Sequence, residues 1–319
     1  MHPWSKWTTY RHGVRRFLID TDTASDDAVA LVMALRDPSI EVVAITVVAG
    51  NVPLDQAVQN ACYTAELCDS AVPIHAGAAR PVLRDLATAE SVHGNDGMGD
   101  IGLDLQGRSP AAGWGPQIIV DTALTGDLTI VTLGPLTNLA TALLWAPNIA
   151  EHIDRVVVMG GTGLHGSGNI TPNAEFNFWV DPEAVRVVLR SGLPLEFVGW
   201  DISIASAVVT PERAEQLRAL DTPLSDFALD IQAVVESYVE TETGLEGPDL
   251  PDPIAMAHAI DPTPASMTEV NVDIAIGPDP MRGALIVDRF GFTGAPANVR
   301  VVTAYPEEAF FSLLADRLA

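Results

Sequence analysis

The sequence predicts an α/β fold: an open, mostly parallel, Rossmann-like sheet flanked by helices, with an antiparallel extension toward the C-terminus. Three observations carry it. From Phe17 to Gly199, short β-branched and apolar runs alternate with stretches of helical length, the spacing of parallel strands joined by crossovers. Polar residues gather just beyond the ends of those strands, along what would be one edge of the sheet. Between 268 and 304 the alternation stops, and three strand-like runs follow one another without helices.

Residues 1–14 lack periodicity and read as a loose tail, which leaves 15–319 as one domain without repeats or low-complexity linkers. The first strand begins at Phe17 and runs into Asp20. A tight turn follows, then a helix over Asp26–Arg36 that stops before Pro38, with Ser25 as its expected N-cap. Strand Ile40–Val48 ends at Ala49-Gly50-Asn51; helix Leu54–Cys68 and a short strand over Val72–His75 come next. Residues 76–113 form a long, weakly periodic stretch containing Ser91-Val-His93-Gly-Asn95-Asp96-Gly-Met-Gly99. A segment of that length is a functional loop or a plain surface excursion.

Regular alternation then resumes with helix Pro116–Leu124, strand Leu128–Leu133, helix Leu136–Trp145 and strand Arg155–Met159. A polar loop over His165–Trp179 leads to a helix after Asp181-Pro182 and to strand Leu195–Gly199. Helices near 211–220 and 223–240 precede an acidic loop, Thr241–Asp252, and a helix over Pro253–Ile260. The helix-free part holds strands Val270–Ile276, Gly283–Val287 and Val299–Ala304, and a terminal helix starts at Pro306.

Composition narrows the function. The chain has 42 acidic against 17 basic residues, a net charge of −25, and one lysine, Lys6. Such a surface repels phosphate backbones, which argues against a nucleic-acid partner. No apolar run approaches the roughly 18 residues needed to span a bilayer, so no membrane partner is expected. Met1–Trp7 has no apolar core of the signal-peptide kind. Cys62 and Cys68 lie six apart on one helix, too far for ready pairing, and reduced thiols fit a cytoplasmic location.

The chemistry concentrates at the first strand-to-helix junction, where Asp20, Asp22, Asp26 and Asp27 fall within one turn. Acids in a first helical turn offset the helix dipole, which accounts for Asp26 and in part Asp27. It does not account for Asp20 and Asp22, which alternate at the end of an apolar strand. Carboxylates crowded in this way call for a cation, and oxygen donors alone suit Ca²⁺ or Mg²⁺. The strand ends and following loops add Asn51, His93, Asn169, Glu175 and Asn177. Carboxylates and amides together suit a metal and a polyhydroxylated ligand, since both pair with vicinal hydroxyls. Trp179 and Trp200 are candidates for stacking or for the core, Asp201 for a helix cap, and His258 for a structural role.

Those residues carry a resemblance. Asp20-Thr-Asp22, Asp26-Asp27 and Ala49-Gly50-Asn51 resemble the signature of the nucleoside hydrolases of the inosine–uridine-preferring type and their relatives. The match continues through His93-Gly94, Gly134-Pro-Leu-Thr-Asn138, Met159-Gly160-Gly161, Asn169, Ala174-Glu175-Phe176-Asn177, Asp181-Pro182 and Asp252-Pro253. It spans roughly residues 16 to 305 in the family's order. The resemblance implies hydrolysis of the N-glycosidic bond of a small-molecule ribonucleoside, with one Ca²⁺ and a homodimer or homotetramer. It implies Asp22, Asp27, Asp252 and the carbonyl of Leu133 as metal ligands, and Asp22 as the acceptor of the attacking water's proton. By the same resemblance Asp26, Asn169, Glu175 and Asn177 grip the ribose, and Asn51 lies close to the metal site.

One departure stands out. The inosine–uridine-preferring members place a histidine, which helps protonate the leaving base, directly before the late aspartate; here that residue is Pro251. Three readings stay open: His93 acts on the base instead, a purine is activated by aromatic stacking, or the chain prefers a different leaving group or turns over slowly. Two other readings stay open. One is a Ca²⁺-dependent nucleoside- or ribose-binding paralogue without turnover. The other is a haloacid-dehalogenase-like phosphohydrolase, suggested by Leu18-Ile-Asp20-Thr-Asp22-Thr but short of a downstream lysine.

Overall fold

The computed structural model describes residues 13–164 and 166–319. Most of the expected tail and His165 therefore lie outside the described residues. The first half alternates as expected: β1 (Arg15–Thr21), α1 (Ser25–Arg36), β2 (Ile40–Val47), α2 (Leu54–Leu67) and β3 (Ile74–Ala76). Then come α3 (Glu90–His93), α4 (Gly115–Ala123), β4 (Leu128–Thr132), α5 (Thr137–Trp145) and β5 (Ile153–Met159). Two short helices, α6 (Phe176–Val180) and α7 (Pro182–Leu189), lead to β6 (Leu195–Val198). Beyond it lie α8 (Trp200–Ser206), α9 (Pro211–Arg218), α10 (Pro223–Asp230), α11 (Ala233–Glu242) and α12 (Pro251–Ile260). The chain closes with β7 (Ser266–Ile274), β8 (Leu285–Asp288), β9 (Val299–Ala304) and α13 (Glu307–Leu318).

All nine strands join one sheet in the order β3-β2-β1-β4-β5-β6-β9-β7-β8. The pairings from β3 to β9 are parallel; β7 runs antiparallel to β9, and β8 antiparallel to β7. The antiparallel extension is therefore β7 and β8, while β9 crosses back to prolong the parallel part beside β6. Strand β1 lies between β2 and β4, at the point where the strand order reverses. Its side chains alternate between the two faces: Phe17 and Ile19 pack with α1, α2, α12 and α13, and Leu18 with α4, α5 and α7. From Phe17 to Thr21 both faces of β1 are buried, as expected of a strand covered by helices on each side.

Several local expectations need correcting. Ala24, not Ser25, is the N-cap of α1. The Asp27 carboxylate reaches back to the Ala24 N–H at 2.9 Å, and the Ser25 hydroxyl turns to His93 instead. The expected helix 223–240 breaks into α10 and α11 around Ile231 and Gln232. Helices α3, α6 and α8 were not anticipated, because runs of four to seven residues show too little periodicity. Strand β3 starts after Pro73, which has no N–H to give to a ladder. Cys62 and Cys68 are free thiols.

Candidate active site

The C-terminal ends of β1, β2, β4, β5 and β6 open onto a cavity of about 400 Å³. A strand order that reverses around β1 leaves a crevice at that edge, and the loops beyond the strand ends line it. From the expected site residues it collects Asp26, Asn51, His93, Leu133, Asn169, Glu175, Asn177 and Asp252. Asp22 and Asp27 lie fully buried beside it.

The four acids of the β1–α1 junction do different things. Asp20 points into the sheet, where Thr46 Oγ1 and Asn138 Nδ2 donate to its Oδ1 at 2.5 and 2.7 Å. Burial pushes its carboxyl up to about 7 against those two donors. Asp22 Oδ2 accepts the backbone N–H of Asn51 at 2.6 Å. Asp27 takes Thr21 Oγ1 at 2.5 Å, the Ala24 N–H at 2.9 Å and Asn51 Nδ2 at 3.3 Å. Asp22 Oδ1, Asp26 Oδ1 and Asp20 Oδ2 are buried without a hydrogen-bond partner among the described residues.

One oxygen from each of Asp26, Asp27 and Asp252 falls within 4.8 Å of the others. Asp252 arrives from the first turn of α12, placed there by Pro251 at the helix start. Asp22 stands outside this trio yet within reach of its charge. Burial first, then repulsion by Asp27, drives the Asp22 carboxyl well above the usual carboxylate range. Burial and the charges of Asp27, Asp26 and Asp22 do the same to Asp252. Buried carboxylates that repel one another and leave oxygens unmatched fit a hard cation among them, so the donor set passes the chemical test for a metal.

The remaining residues are held in place by identifiable bonds. Asn177 Nδ2 donates to the Leu133 carbonyl at 2.6 Å, so two expected site groups meet directly. Glu175 caps α6, accepting from Asn177 N at 2.7 Å, Phe178 N at 3.2 Å and Gly161 N at 2.8 Å. Burial raises its carboxyl to about 7 despite those donors. Asn169 lies on the exposed rim, where its Oδ1 accepts the Phe176 N–H at 2.9 Å. His93 Nδ1 lies 2.9 Å from Ser25 Oγ and 3.8 Å from Asp26 Oδ1. Burial lowers its pKa to about 4, so the ring is neutral near pH 7.

Other candidates separate cleanly. Trp179 lies away from the cavity, under the Arg282 guanidinium at 3.8 Å from its ring centroid, with Nε1 on Asp279 at 2.9 Å. Trp200 does line the cavity. His258 is structural, as expected: it meets Glu196 at 2.8 Å in a buried group with Arg155. Sequence reasoning missed Asp249, Gln232 and Phe176 as cavity residues and treated Tyr238 only as a neighbour. Asp249 had a signal in the run Asp249-Leu-Pro-Asp252. The cavity-lining residues include no arginine or lysine among the described residues, which leaves a phosphate group without a cationic partner.

The comparisons agree with this geometry. Residues 17–312 match the family model described as inosine-uridine preferring nucleoside hydrolase. The chain belongs to that family. A protein named pyrimidine-specific ribonucleoside hydrolase RihB, from Escherichia coli O157:H7, is 32% identical over 304 residues, covering 95% of this chain and 96% of the relative. Among solved structures, the plant nucleoside hydrolase PpNRh1 superposes with a TM-score of 0.89 at 29% identity, over 95% of this chain and 98% of its own. A purine-preferring ribonucleoside hydrolase from Gardnerella vaginalis gives 0.87 at 29% identity, over 95% and 98%. The chain is thus an enzyme of the ribonucleoside hydrolase class, an N-ribohydrolase.

Proposed function

We propose that the protein hydrolyses the N-glycosidic bond of free ribonucleosides, giving ribose and base, and that it depends on Ca²⁺. The observation that supports this most is the buried convergence of Asp26, Asp27 and Asp252 beside Asp22, with Asp22 Oδ1 and Asp26 Oδ1 lacking a hydrogen-bond partner among the described residues. Asp22, Asp27, Asp252 and the Leu133 carbonyl are the proposed ligands. A mixed set of carboxylates and a backbone carbonyl is typical of Ca²⁺. When bound, the cation would supply positive charge that orients ribose hydroxyls and makes a nearby water more acidic.

The chain's own residues supply the rest. Asp22 accepts the water's proton through its free Oδ1. Asp26, Asn51, Asn169, Glu175 and Asn177 bind the sugar, with Glu175 and Asn177 pre-positioned by the α6 cap and the Leu133 carbonyl. His93 contributes a neutral ring nitrogen to the cavity wall. As the C1′–N bond stretches, positive charge builds on the ribose, and a carboxylate-rich floor stabilises that state more than the ground state. Self-association into a dimer or tetramer and a cytoplasmic location belong to the same proposal. Among the described residues, no helix is long and apolar enough to cross a membrane.

The relatives divide between pyrimidine-specific and purine-preferring names, so the test covers both classes. Ribose release is measured from inosine, adenosine, guanosine, uridine and cytidine. Release from any of them supports the reading, and the ratio across the panel assigns the base preference. No release, with Ca²⁺-dependent thermal stabilisation by ribose, would contradict turnover and favour the binding paralogue.

A further inference from the structure

The leaving base needs a proton, and the cavity contains a group placed to give it. Pro251 opens α12 and has no proton to offer. The titratable side chains lining the cavity are Asp26, His93, Glu175, Tyr238, Glu242, Asp249 and Asp252, among the described residues. Asp26 and Asp252 belong to the acidic floor. Glu175 is committed as an acceptor of three backbone N–H groups. His93 is neutral, and Glu242 is exposed at the end of α11.

Asp249 is different. Its main chain is pinned by a bridge to Val208, by Leu250 N–H on Ala207 O at 3.0 Å and by Val209 N–H on Pro248 O at 2.8 Å. Trp200 Nε1 and Ser203 Oγ both donate to its Oδ2, at 2.8 and 2.7 Å. The side chain thus lines the cavity wall with Oδ2 held by two donors, and a carboxyl group held through one oxygen can carry a proton on the other. Burial raises the carboxyl above the usual carboxylate range, with Ser203 and Trp200 drawing it part of the way back.

We infer that Asp249 is the proton donor to the leaving base, in place of a residue that Pro251 cannot supply. The inference rests on the ribonucleoside hydrolase reading. In the step, the C1′–N bond breaks with its electron pair going to the base, and Asp249 Oδ1 gives its proton to the base. The water oxygen bonds to C1′, and the water's proton passes to Asp22. After the base leaves, Asp22 releases its proton to solvent and Asp249 regains one from it, so the cycle closes.

The test compares natural nucleosides with 4-nitrophenyl β-D-ribofuranoside, whose leaving group departs as a stable anion and needs no proton. Asp249→Asn keeps an oxygen for Trp200 and Ser203 but loses the acid. It should lower kcat/KM on inosine or uridine by roughly 10²- to 10⁴-fold, the usual range for a lost acid or base, and on the nitrophenyl riboside by far less. Should that variant fail to fold, Asp249→Ala supports the same comparison. Equal losses on both substrates, or none on nucleosides, would overturn the inference. It also falls if Trp200→Phe reproduces the nucleoside-selective loss, since Asp249 would then only anchor the indole. The same selective loss in Tyr238→Phe, with Asp249→Asn unaffected, would assign the role to the phenol. A wild-type chain that hydrolyses neither substrate class would sink the hydrolase reading itself, a result distinct from all of these.

Discussion

Asn51 donates its backbone N–H to Asp22 Oδ2 at 2.6 Å, while the other Asp22 oxygen is buried with no hydrogen-bond partner among the described residues. A carboxylate fixed through one oxygen and free at the other is suited to accept a proton. Asp22→Asn keeps the shape and removes the base. Ribose release should fall by roughly 10²- to 10⁴-fold in kcat. A fall of less than about tenfold would remove Asp22 from that role.

The Asp22 carboxylate also lies between two glycines that allow it no slack. A Cβ on Gly50 would stand 2.1 Å from Asp22 Oδ2, and one on Gly134 2.4 Å from Oδ1. Gly50→Ala must therefore displace the carboxylate. Overpacking costs about 1–3 kcal/mol of stability. A displacement near 1 Å can cost about 100-fold in rate. Activity should thus suffer more than the melting temperature, and turnover unchanged at a lowered Tm would contradict the close approach.

Chelation should reveal the repulsion among the buried acids. Burial and mutual charge raise the pKa values of Asp22, Asp26 and Asp252, so without a cation their protonated forms are favoured in the fold. Groups with raised pKa values contribute stability at low pH and lose it as pH rises through the folded-state values. In chelator, Tm should decline as pH rises above the ordinary carboxylate value of 3.8, and the gain from added Ca²⁺ should grow in the same direction. A Ca²⁺ shift that is absent, or that does not grow with pH, would contradict this.

The opposite sign is expected from the buried group on the sheet. Burial pushes Glu196 up, but Arg155 outweighs it, together with His258, and holds the carboxyl at about 2. Its contribution is complete above the ordinary value of 4.5 and is lost as pH falls through about 2. Burial keeps His258 neutral, and protonating it in acid destabilises in the same direction. Glu196→Gln, which leaves Arg155 buried beside a neutral group, should cost about 3–5 kcal/mol by denaturant titration. Ribose release per folded molecule should be retained.

How much was legible in the sequence follows from what kind of signal each element leaves. The strands β1, β2, β4 and β5 and the helices α1 and α2 were readable because apolar periodicity is a local property of the chain. Asp22, Asp26, Asn51 and His93 were readable as site candidates because polar groups at strand ends have no core to enter. Tertiary bonds were not. Ser25 looked like a cap, and only the arrival of α3 from 68 residues away shows that its hydroxyl serves His93. Glu175 resembled a sugar ligand, and its second role in capping α6 depends on a helix too short to show a period. Asp249 stood in a visible acidic run, but its partners, Trp200 and Ser203, lie 49 and 46 residues upstream and left no local trace. The placement of β9 beside β6 is a choice of topology that no local pattern encodes.

The measurement that bears most directly on the central claim is ribose release from the nucleoside panel in Ca²⁺, after chelation, and after Ca²⁺ is restored, for wild type and for Asp252→Asn. The account predicts release that disappears on chelation, returns with Ca²⁺, and is lost at ordinary Ca²⁺ concentrations in Asp252→Asn. Release that persists undiminished in chelator, or an Asp252→Asn variant with wild-type turnover, would contradict it.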